Sequence, residues 1–290
     1  MNSTRRYLEL TKPKMVVLIT FTALVGTLLA RRSTPALATI VCSSIGIALA
    51  AASAAVLNHV LDRHIDASMG RTRGRPLPSG HLSPYRAIAL ACILGISGMA
   101  VLIWCVNPIT AALTFSSLIA YAGIYTLWLK HATPQNIVIG GVAGAMPPVL
   151  GWTATTGRVE ANALLLFLII FVWTPPHFWA LAIARRADYA RVGIPMLPVT
   201  HGVRYTQLQI LYYTILLTAA TLLPFLTRMS GPFYLAAALI LDVTLLRKAL
   251  ALRVSAEAQL PMQMFRLSIV YLMWLFAALL IDHYLPASLF

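Results

Sequence analysis

Residues 162–184 read NALLLFLIIFVWTPPHFWALAIA and contain no Asp, Glu, Lys or Arg. About twenty apolar residues are enough for a helix to cross a lipid bilayer. The rest of the chain is similar: 59% of its 290 residues are hydrophobic, 10% are charged, and the mean hydropathy is +0.80. A soluble domain has about a quarter of its residues charged. The sequence therefore excludes an ordinary soluble protein, a disordered chain and a coiled coil, and it predicts an integral membrane protein.

Eight further apolar stretches have a comparable length, so the sequence predicts an all-α, polytopic membrane protein with nine transmembrane helices. The expected spans are 15–30, 37–57, 87–106, 109–129, 136–156, 162–184, 206–227, 232–250 and 267–285. The stretches are continuously apolar and do not alternate as the strands of a membrane β-barrel would. Because the spans use most of the chain, we expect residues 1–290 to form a single membrane-embedded domain.

The charge distribution predicts the orientation of the helices. With a cytoplasmic N-terminus, eighteen of the 22 Lys and Arg residues fall on the cytoplasmic side, as the positive-inside rule requires. Four basic residues fall on the other side: Arg31, Arg32, Arg158 and Arg228. The net charge of +14 then belongs to a face that meets anionic lipid, and no nucleic-acid partner is expected. We find no secretory signal before the first span, so we expect a bacterial inner (cytoplasmic) membrane.

Three polar residues recur every four positions at the cytoplasmic end of the second span: Asn58, Asp62 and Asp66. On a helix each such step drifts by about 40°, so the three share one face. The negative end of the helix dipole lies there, so something cationic must offset the carboxylates. Mg²⁺ suits this role because it takes oxygen ligands, often one or two carboxylates plus substrate phosphates. The alternative is a solvated helix end whose acids pair with Arg63 and His64.

The loop that follows contains Arg71, Arg73 and Arg75 between glycines and prolines. Guanidinium groups match phosphate oxygens, so acid, metal and arginine together predict a site for a diphosphate. Lys130, which ends the fourth span, is a further candidate phosphate contact. The alternatives are an ordinary positive-inside loop and, for Lys130, a lysine that snorkels to the interface.

A second acidic site follows the sixth span at Asp188, on the same predicted side of the membrane. Two acidic clusters on one face can hold metal ions on opposite sides of one diphosphate. Asp242 lies inside the eighth span, where a carboxylate is a functional candidate by default. It could instead pair with Arg247 or face a polar bundle interior, so we assign it no role.

Asn58-x-x-x-Asp62-x-x-x-Asp66 resembles the first motif of the UbiA superfamily of intramembrane prenyltransferases. Further stretches resemble its protohaem IX farnesyltransferase (haem O synthase) branch: 11–14, 69–80, 133–141, 144–152, 173–179 and 188–198. The likeness runs from about residue 8 to the last span. One feature departs from the wider superfamily, whose second motif often has two acids four residues apart, whereas Asp188 stands alone here. That departure leaves the ligation of a second metal ion open.

The resemblance implies nine helices around a central cavity whose cytoplasmic mouth is capped by the 2–3 and 6–7 loops. It implies farnesyl diphosphate and haem B as substrates, haem O and diphosphate as products, and Mg²⁺ as cofactor. It also implies haem A synthase or haem-copper oxidase assembly as partners downstream. The metal-binding and catalytic residues would be Asn58, Asp62, Asp66 and Asp188. The competing hypotheses are prenylation of a quinone precursor or chlorophyllide, a membrane transporter, and a chaperone for oxidase assembly.

His177 is the candidate haem-binding residue. If the sixth helix continues past its span, His177 lies on the same face as Asp188 and roughly 16 Å deeper, because eleven residues make almost three full turns. An imidazole in the cavity could ligate haem iron. The alternatives are a hydrogen-bonded core histidine and a group that satisfies the carbonyls freed by Pro175 and Pro176.

Overall fold

The computed structural model describes residues 3–70, 72–255 and 257–285, and within these ranges the chain forms helices and connecting loops without strands. The helices, labelled in chain order, are α1 (Ser3–Leu10), α2 (Pro13–Leu29), α3 (Leu37–Leu61), α4 (Arg63–Ser68), α5 (Pro84–Cys105), α6 (Pro108–Ile119), α7 (Lys130–Ala132), α8 (Asn136–Ala145), α9 (Pro147–Thr156), α10 (Ala161–Ala184), α11 (Arg186–Arg191), α12 (Leu197–Thr200), α13 (Gly202–Leu226), α14 (Pro232–Val254) and α15 (Leu260–Tyr284). A π-helix, Ala120–Leu129, joins α6 to α7. The all-α prediction is confirmed.

Seven helical segments in the described ranges are long and apolar enough to cross a membrane. They are α3, α5, α6 with the π-helix and α7, α8 with α9, α10, α13 and α15. The pair α1 and α2, bent by 52°, provides an eighth candidate. α14 has 23 residues, but Asp242, Arg247 and Lys248 make it more polar. Each of the nine predicted spans thus coincides with a helix, and the chain is a multi-pass membrane protein.

Two of the spans are irregular, and each irregularity has a local cause. The fourth span changes to π-helical hydrogen bonding at Ala120, and such segments occur frequently at functional sites. The fifth span breaks at Met146, just before Pro147 and Pro148. Proline has no N–H to donate, so it starts a helix more readily than it continues one. Both irregular spans contribute to the wall of the central cavity described below.

α2 and α9 pack with their backbones in contact because glycines lie at the crossing. A Cβ atom added to Gly151 would lie 1.8 Å from the carbonyl oxygen of Ala23, and one added to Gly26 would lie 2.1 Å from that of Pro148. No side chain fits at either position. Small residues allow this close approach between membrane helices. The crossing holds α2 against the bundle, and it therefore also fixes the position of the segment that leads into α2.

Asp242 is buried where α13, α14 and α15 meet. Thr221 donates a hydrogen bond to its Oδ2 at 2.7 Å, and the Tyr271 hydroxyl donates one to its Oδ1 at 2.6 Å. The hydroxyl of Tyr234 donates to the carbonyl of Thr221 at 2.8 Å. Asp242 therefore faces a polar bundle interior, one of the alternatives left open by the sequence, and joins three helices away from the candidate site.

Candidate active site

The two aspartates at the end of α3 are buried, with Asp62 6% and Asp66 4% exposed. The backbone N–H of Asp62 donates to the carbonyl of Asn58 at 2.9 Å, and that of Asp66 donates to the carbonyl of Asp62 at 2.8 Å. Helical hydrogen bonding therefore continues through the junction between α3 and α4. The three residues of the motif follow one another at intervals of one turn.

Each of these aspartates is paired with a cation from another segment. Lys130 Nζ donates to Asp62 Oδ2 at 2.8 Å, and Asn58 Nδ2 donates to the same oxygen at 2.9 Å. Arg75 Nη1 donates to Asp66 Oδ2 at 2.6 Å. Buried carboxylates require such partners. The structure therefore brings together Asn58, Asp62, Asp66, Arg75 and Lys130 from three separate parts of the sequence.

The alternative of a solvated helix end paired with Arg63 and His64 is wrong. Arg63 instead donates to the carbonyl oxygen of Val60 at 3.0 Å, and His64 is exposed. The acids face the interior of the bundle, where Lys130 and Arg75 neutralise them.

Lys12 is a further cation in this cluster, and no spacing pattern in the sequence marks it as a site residue. It precedes α2, and its Nζ donates to Asn58 Oδ1. The amide nitrogen of Asn58 also donates to Thr126 Oγ1 of the π-helix at 3.3 Å. Burial lowers the pKa of Lys12 to about 8, and the positive charge of Arg75 acts in the same direction. The stretch 11–14 carried part of the family resemblance, which was the available signal for this residue.

The remaining predicted site residues lie around this cluster. Arg71 lies outside the described residues, and Arg73 is exposed. A Cβ atom added to Gly70 would lie 4.0 Å from Asp188 Oδ1, which places this carboxylate beside the loop that follows α4. Arg191 Nη1 lies 4.0 Å from the same oxygen. Among the residues that the structure describes, no three His, Cys, Asp or Glu side chains are grouped closely enough to hold a metal ion by themselves.

The predicted alignment of His177 with Asp188 on one helix face is wrong. α10 ends at Ala184, and α11 begins at Arg186 after a residue with non-helical dihedrals, φ −119° and ψ 22°. The two residues therefore belong to different helices, and the eleven-residue interval sets no common face.

An apolar cavity of about 280 Å³ lies between α2, α3, the fourth and fifth spans and α10. Met15, Ala54 and Tyr125 are part of its wall. Each of them lies close in sequence to a cluster residue: Met15 follows Lys12, Ala54 is one turn before Asn58, and Tyr125 precedes Thr126. The charged cluster, defined as Lys12, Asn58, Asp62, Asp66, Arg75 and Lys130, therefore adjoins one end of the cavity.

His177 lines this cavity and is held by α15. Its Nδ1 and the Ser268 hydroxyl are 2.7 Å apart, and that hydroxyl also donates to the carbonyl of Phe265 at 2.7 Å. A hydroxyl has one hydrogen, so Ser268 accepts from Nδ1–H of His177 and the lone pair of the ring lies on Nε2. Trp173 stacks on the imidazole at 4.3 Å. The hydrogen bond goes to Ser268, so the proposed role of His177 in satisfying carbonyls freed by prolines is not observed.

The π-helix contributes two tyrosines to the cavity wall that were not predicted from the sequence. Tyr121 and Tyr125 both line the cavity, and their rings stack with centroids 5.8 Å apart. Aromatic faces can stabilise a nearby cation. Neither residue stood out, because a tyrosine in an apolar span is ordinary and the π-helical geometry gives no recognisable pattern in the sequence.

The sequence profile of the UbiA prenyltransferase family matches residues 19–280. The chain belongs to this family. It is 60% identical to a Methylococcus capsulatus protein named protoheme IX farnesyltransferase, over 98% of this chain and 95% of the relative. It is 58% identical to a protein of the same name from Alkalilimnicola ehrlichii, over 98% of this chain and 94% of the relative. Identity at this level extends through nearly the whole of each protein.

Solved structures share the fold at much lower identity. A structure described in a study of digeranylgeranylglyceryl phosphate synthase in membranes matches with a TM-score of 0.80 at 18% identity, over 98% of this chain and 99% of that one. A UbiA homologue from Aeropyrum pernix matches with a TM-score of 0.74 at 17% identity, over 93% and 98%. A third, from Archaeoglobus fulgidus with geranyl diphosphate and Mg²⁺ bound, matches with a TM-score of 0.63 at 14% identity, over 94% and 99%. The prediction of a UbiA-like fold is confirmed.

Proposed function

We propose that this protein transfers a farnesyl group from farnesyl diphosphate to a vinyl group of haem B, with addition of water, giving haem O and diphosphate. The observation that carries this proposal is a buried cluster of carboxylates and cations at one end of an apolar cavity that has an imidazole in its wall. Identity of 58–60% to relatives named protoheme IX farnesyltransferase supports haem as the acceptor.

We assign the diphosphate end of the substrate to the charged cluster. The oxygens of Asn58, Asp62 and Asp66 suit Mg²⁺, and we assign Asp188 of α11 as a further ligand. A magnesium ion is usually held by one or two carboxylates together with substrate phosphates, so it does not need a complete cage of protein ligands. When bound, Mg²⁺ supplies positive charge that stabilises the departing diphosphate.

The cations of the cluster then exchange partners. Lys130 and Arg75 neutralise Asp62 and Asp66 in the structure, and an arriving diphosphate offers them more negative charge than the aspartates do. We infer that both side chains turn to the phosphate oxygens while the aspartates take the metal. Lys12 lies in the same cluster, Arg73 belongs to the adjoining loop, and Arg71 remains a phosphate contact proposed from the sequence alone. Charge-assisted hydrogen bonds of this kind are about twice as strong as neutral ones.

The chemistry requires a stabilised leaving group and a dry cavity. The bond between C1 of the farnesyl chain and the diphosphate oxygen breaks, and the electron pair leaves with the diphosphate. The terminal carbon of a haem vinyl group attacks C1, which forms the new carbon–carbon bond and leaves a cation beside the porphyrin ring. Water adds to this cation and loses a proton, giving a hydroxyl group. The faces of Tyr121 and Tyr125 shield the allylic cation until the acceptor attacks it.

The acceptor end of the cavity is assigned to His177. Its bond to Ser268 leaves Nε2 as the free lone pair, which is the atom needed to ligate haem iron. We further propose a bacterial inner membrane with a cytoplasmic N-terminus, because the charged cluster and most basic residues then lie on the cytoplasmic side. The product would pass to haem A synthase or to haem-copper oxidase assembly.

The proposal is tested with protein purified in detergent, incubated with haem B, farnesyl diphosphate and Mg²⁺. Mass spectrometry should detect a haem heavier by one farnesyl and one hydroxyl group, and diphosphate should be released in equal amount. Transfer to a quinone precursor or chlorophyllide, with none to haem B, would contradict the choice of acceptor. Absence of any prenylated product would favour the transporter or chaperone hypothesis.

The role of His177 has its own readout in the haem absorption spectrum. We expect His177→Ala to shift the Soret band of bound ferric haem and to weaken haem binding about ten-fold or more, because an iron ligand is lost. His201→Ala is the matched control, since His201 is exposed at the start of α13. An unchanged Soret spectrum in His177→Ala would refute ligation by this residue.

A further inference from the structure

His59 is a buried histidine beside the charged cluster. It lies in the last turn of α3, next to Asn58, and is 2% exposed. Among the residues that the structure describes, neither Nδ1 nor Nε2 of its ring has a hydrogen-bond partner. Buried polar groups in folded proteins are nearly always paired, so each exception needs an explanation.

The carboxylates of Asp62 and Asp66 are not the missing hydrogen-bond partner of His59. Asp62 already accepts from Lys130 and Asn58, and Asp66 accepts from Arg75. Among the described residues, Lys12 and Arg75 place positive charge near His59. A ring in this position therefore does not neutralise an acid, and a third positive charge beside the two cations would be unfavourable.

The missing partner is therefore an acceptor that the two cations would also attract. A neutral imidazole has one N–H donor, and an anionic oxygen between Lys12 and Arg75 would satisfy it. We propose that His59 is a further binding residue for the prenyl donor, and that its N–H donates to an oxygen of the diphosphate. This inference rests on the proposed function and adds a neutral hydrogen-bond donor to the diphosphate site. The N–H of His59 would orient the diphosphate, whereas Lys12 and Arg75 supply positive charge.

The test measures binding of inorganic pyrophosphate, with Mg²⁺ present, by isothermal titration to the full chain in detergent. His59→Phe keeps a ring of similar shape but cannot donate, and we expect it to weaken pyrophosphate binding about ten-fold or more. His59→Gln retains an N–H and should recover part of that loss. His64→Phe is the matched control, because His64 is exposed on α4 close to the same motif. It should change binding less than two-fold.

A structural role for His59 predicts a different pattern. It would lower the thermal midpoint of His59→Phe but leave the increase in midpoint caused by pyrophosphate the same as in the wild type. That result, or unchanged pyrophosphate affinity in His59→Phe, would overturn the proposal. If His59→Phe does not fold, a wild-type pyrophosphate affinity in His59→Ala would overturn it as well. Failure of the proposed function would be seen separately, as wild-type protein that binds pyrophosphate but does not farnesylate haem B.

Discussion

The ion pair between Lys130 and Asp62 should contribute to both folding and catalysis, and the two contributions can be separated. The atoms Nζ and Oδ2 are 2.8 Å apart, and both side chains are almost completely buried. At an effective dielectric constant of about 20, this distance gives an attraction of about 6 kcal/mol. The cost of removing both charges from water offsets much of this attraction, so the pair is worth far less than that to folding.

Removing one partner leaves the other charge buried and unpaired, which destabilises the folded protein. Lys130→Met leaves the Asp62 carboxylate buried with Asn58 as its remaining donor among the described residues, and breaking a buried pair in this way costs about 3–5 kcal/mol. At roughly 2–4 °C per kcal/mol, we expect the thermal midpoint in detergent to fall by about 6 °C or more. Circular dichroism at 222 nm measures this shift.

The double variant Lys130→Met/Asp62→Asn removes both charges and should recover most of the lost stability, because a buried pair replaced as a unit is often neutral to folding. It should remain inactive in farnesyl transfer, since Asp62 is assigned to the metal and Lys130 to the diphosphate. A double variant with wild-type activity would refute this reasoning. So would a Lys130→Met protein with an unchanged midpoint.

Three other changes give distinct results. Gly151→Ala should destabilise the protein severely, because the new Cβ would lie 1.8 Å from the carbonyl oxygen of Ala23. The control is Gly74→Ala, whose new Cβ meets nothing within 4 Å, and it should leave the thermal midpoint within about 2 °C of wild type. Asp242→Leu should lower the thermal midpoint far more than Asp242→Asn, because asparagine keeps one acceptor for the buried hydroxyls. Folded Asp242→Asn should retain its specific activity, and a stable but inactive Asp242→Asn protein would contradict a purely structural role. Arg75→Ala should raise the KM for farnesyl diphosphate about ten-fold or more by removing a phosphate contact, and an unchanged KM would contradict that assignment.

The helices could be predicted from the sequence because a membrane span needs a minimum length of apolar residues, and that length is directly visible. Even α14, with Asp242 inside it, lies where the apolar run predicted a helix. The π-helical segment could not be predicted. Its residues have no distinctive pattern, and the segment differs from an ordinary span only in its hydrogen bonding.

The charged cluster was only partly predictable. Periodicity placed Asn58, Asp62 and Asp66 one turn apart, but the partners of the acids come from distant segments of the chain. Lys130 lies 68 residues from Asp62, and no local pattern predicts that pairing. The error over His177 has a local cause: the expected alignment with Asp188 assumed an unbroken helix, but α10 ends before it.

The most direct test of the central claim compares the wild type with Asp66→Asn in the haem farnesylation assay, each with Mg²⁺ and with the metal removed by a chelator. Asp66 is buried and forms an ion pair with Arg75, and we assign it to the metal that balances the charge of the diphosphate. We predict farnesylated, hydroxylated haem from the wild type with Mg²⁺ and none from the other three reactions. Product formation by Asp66→Asn at the wild-type rate, or by the wild type without a divalent metal, would contradict the account.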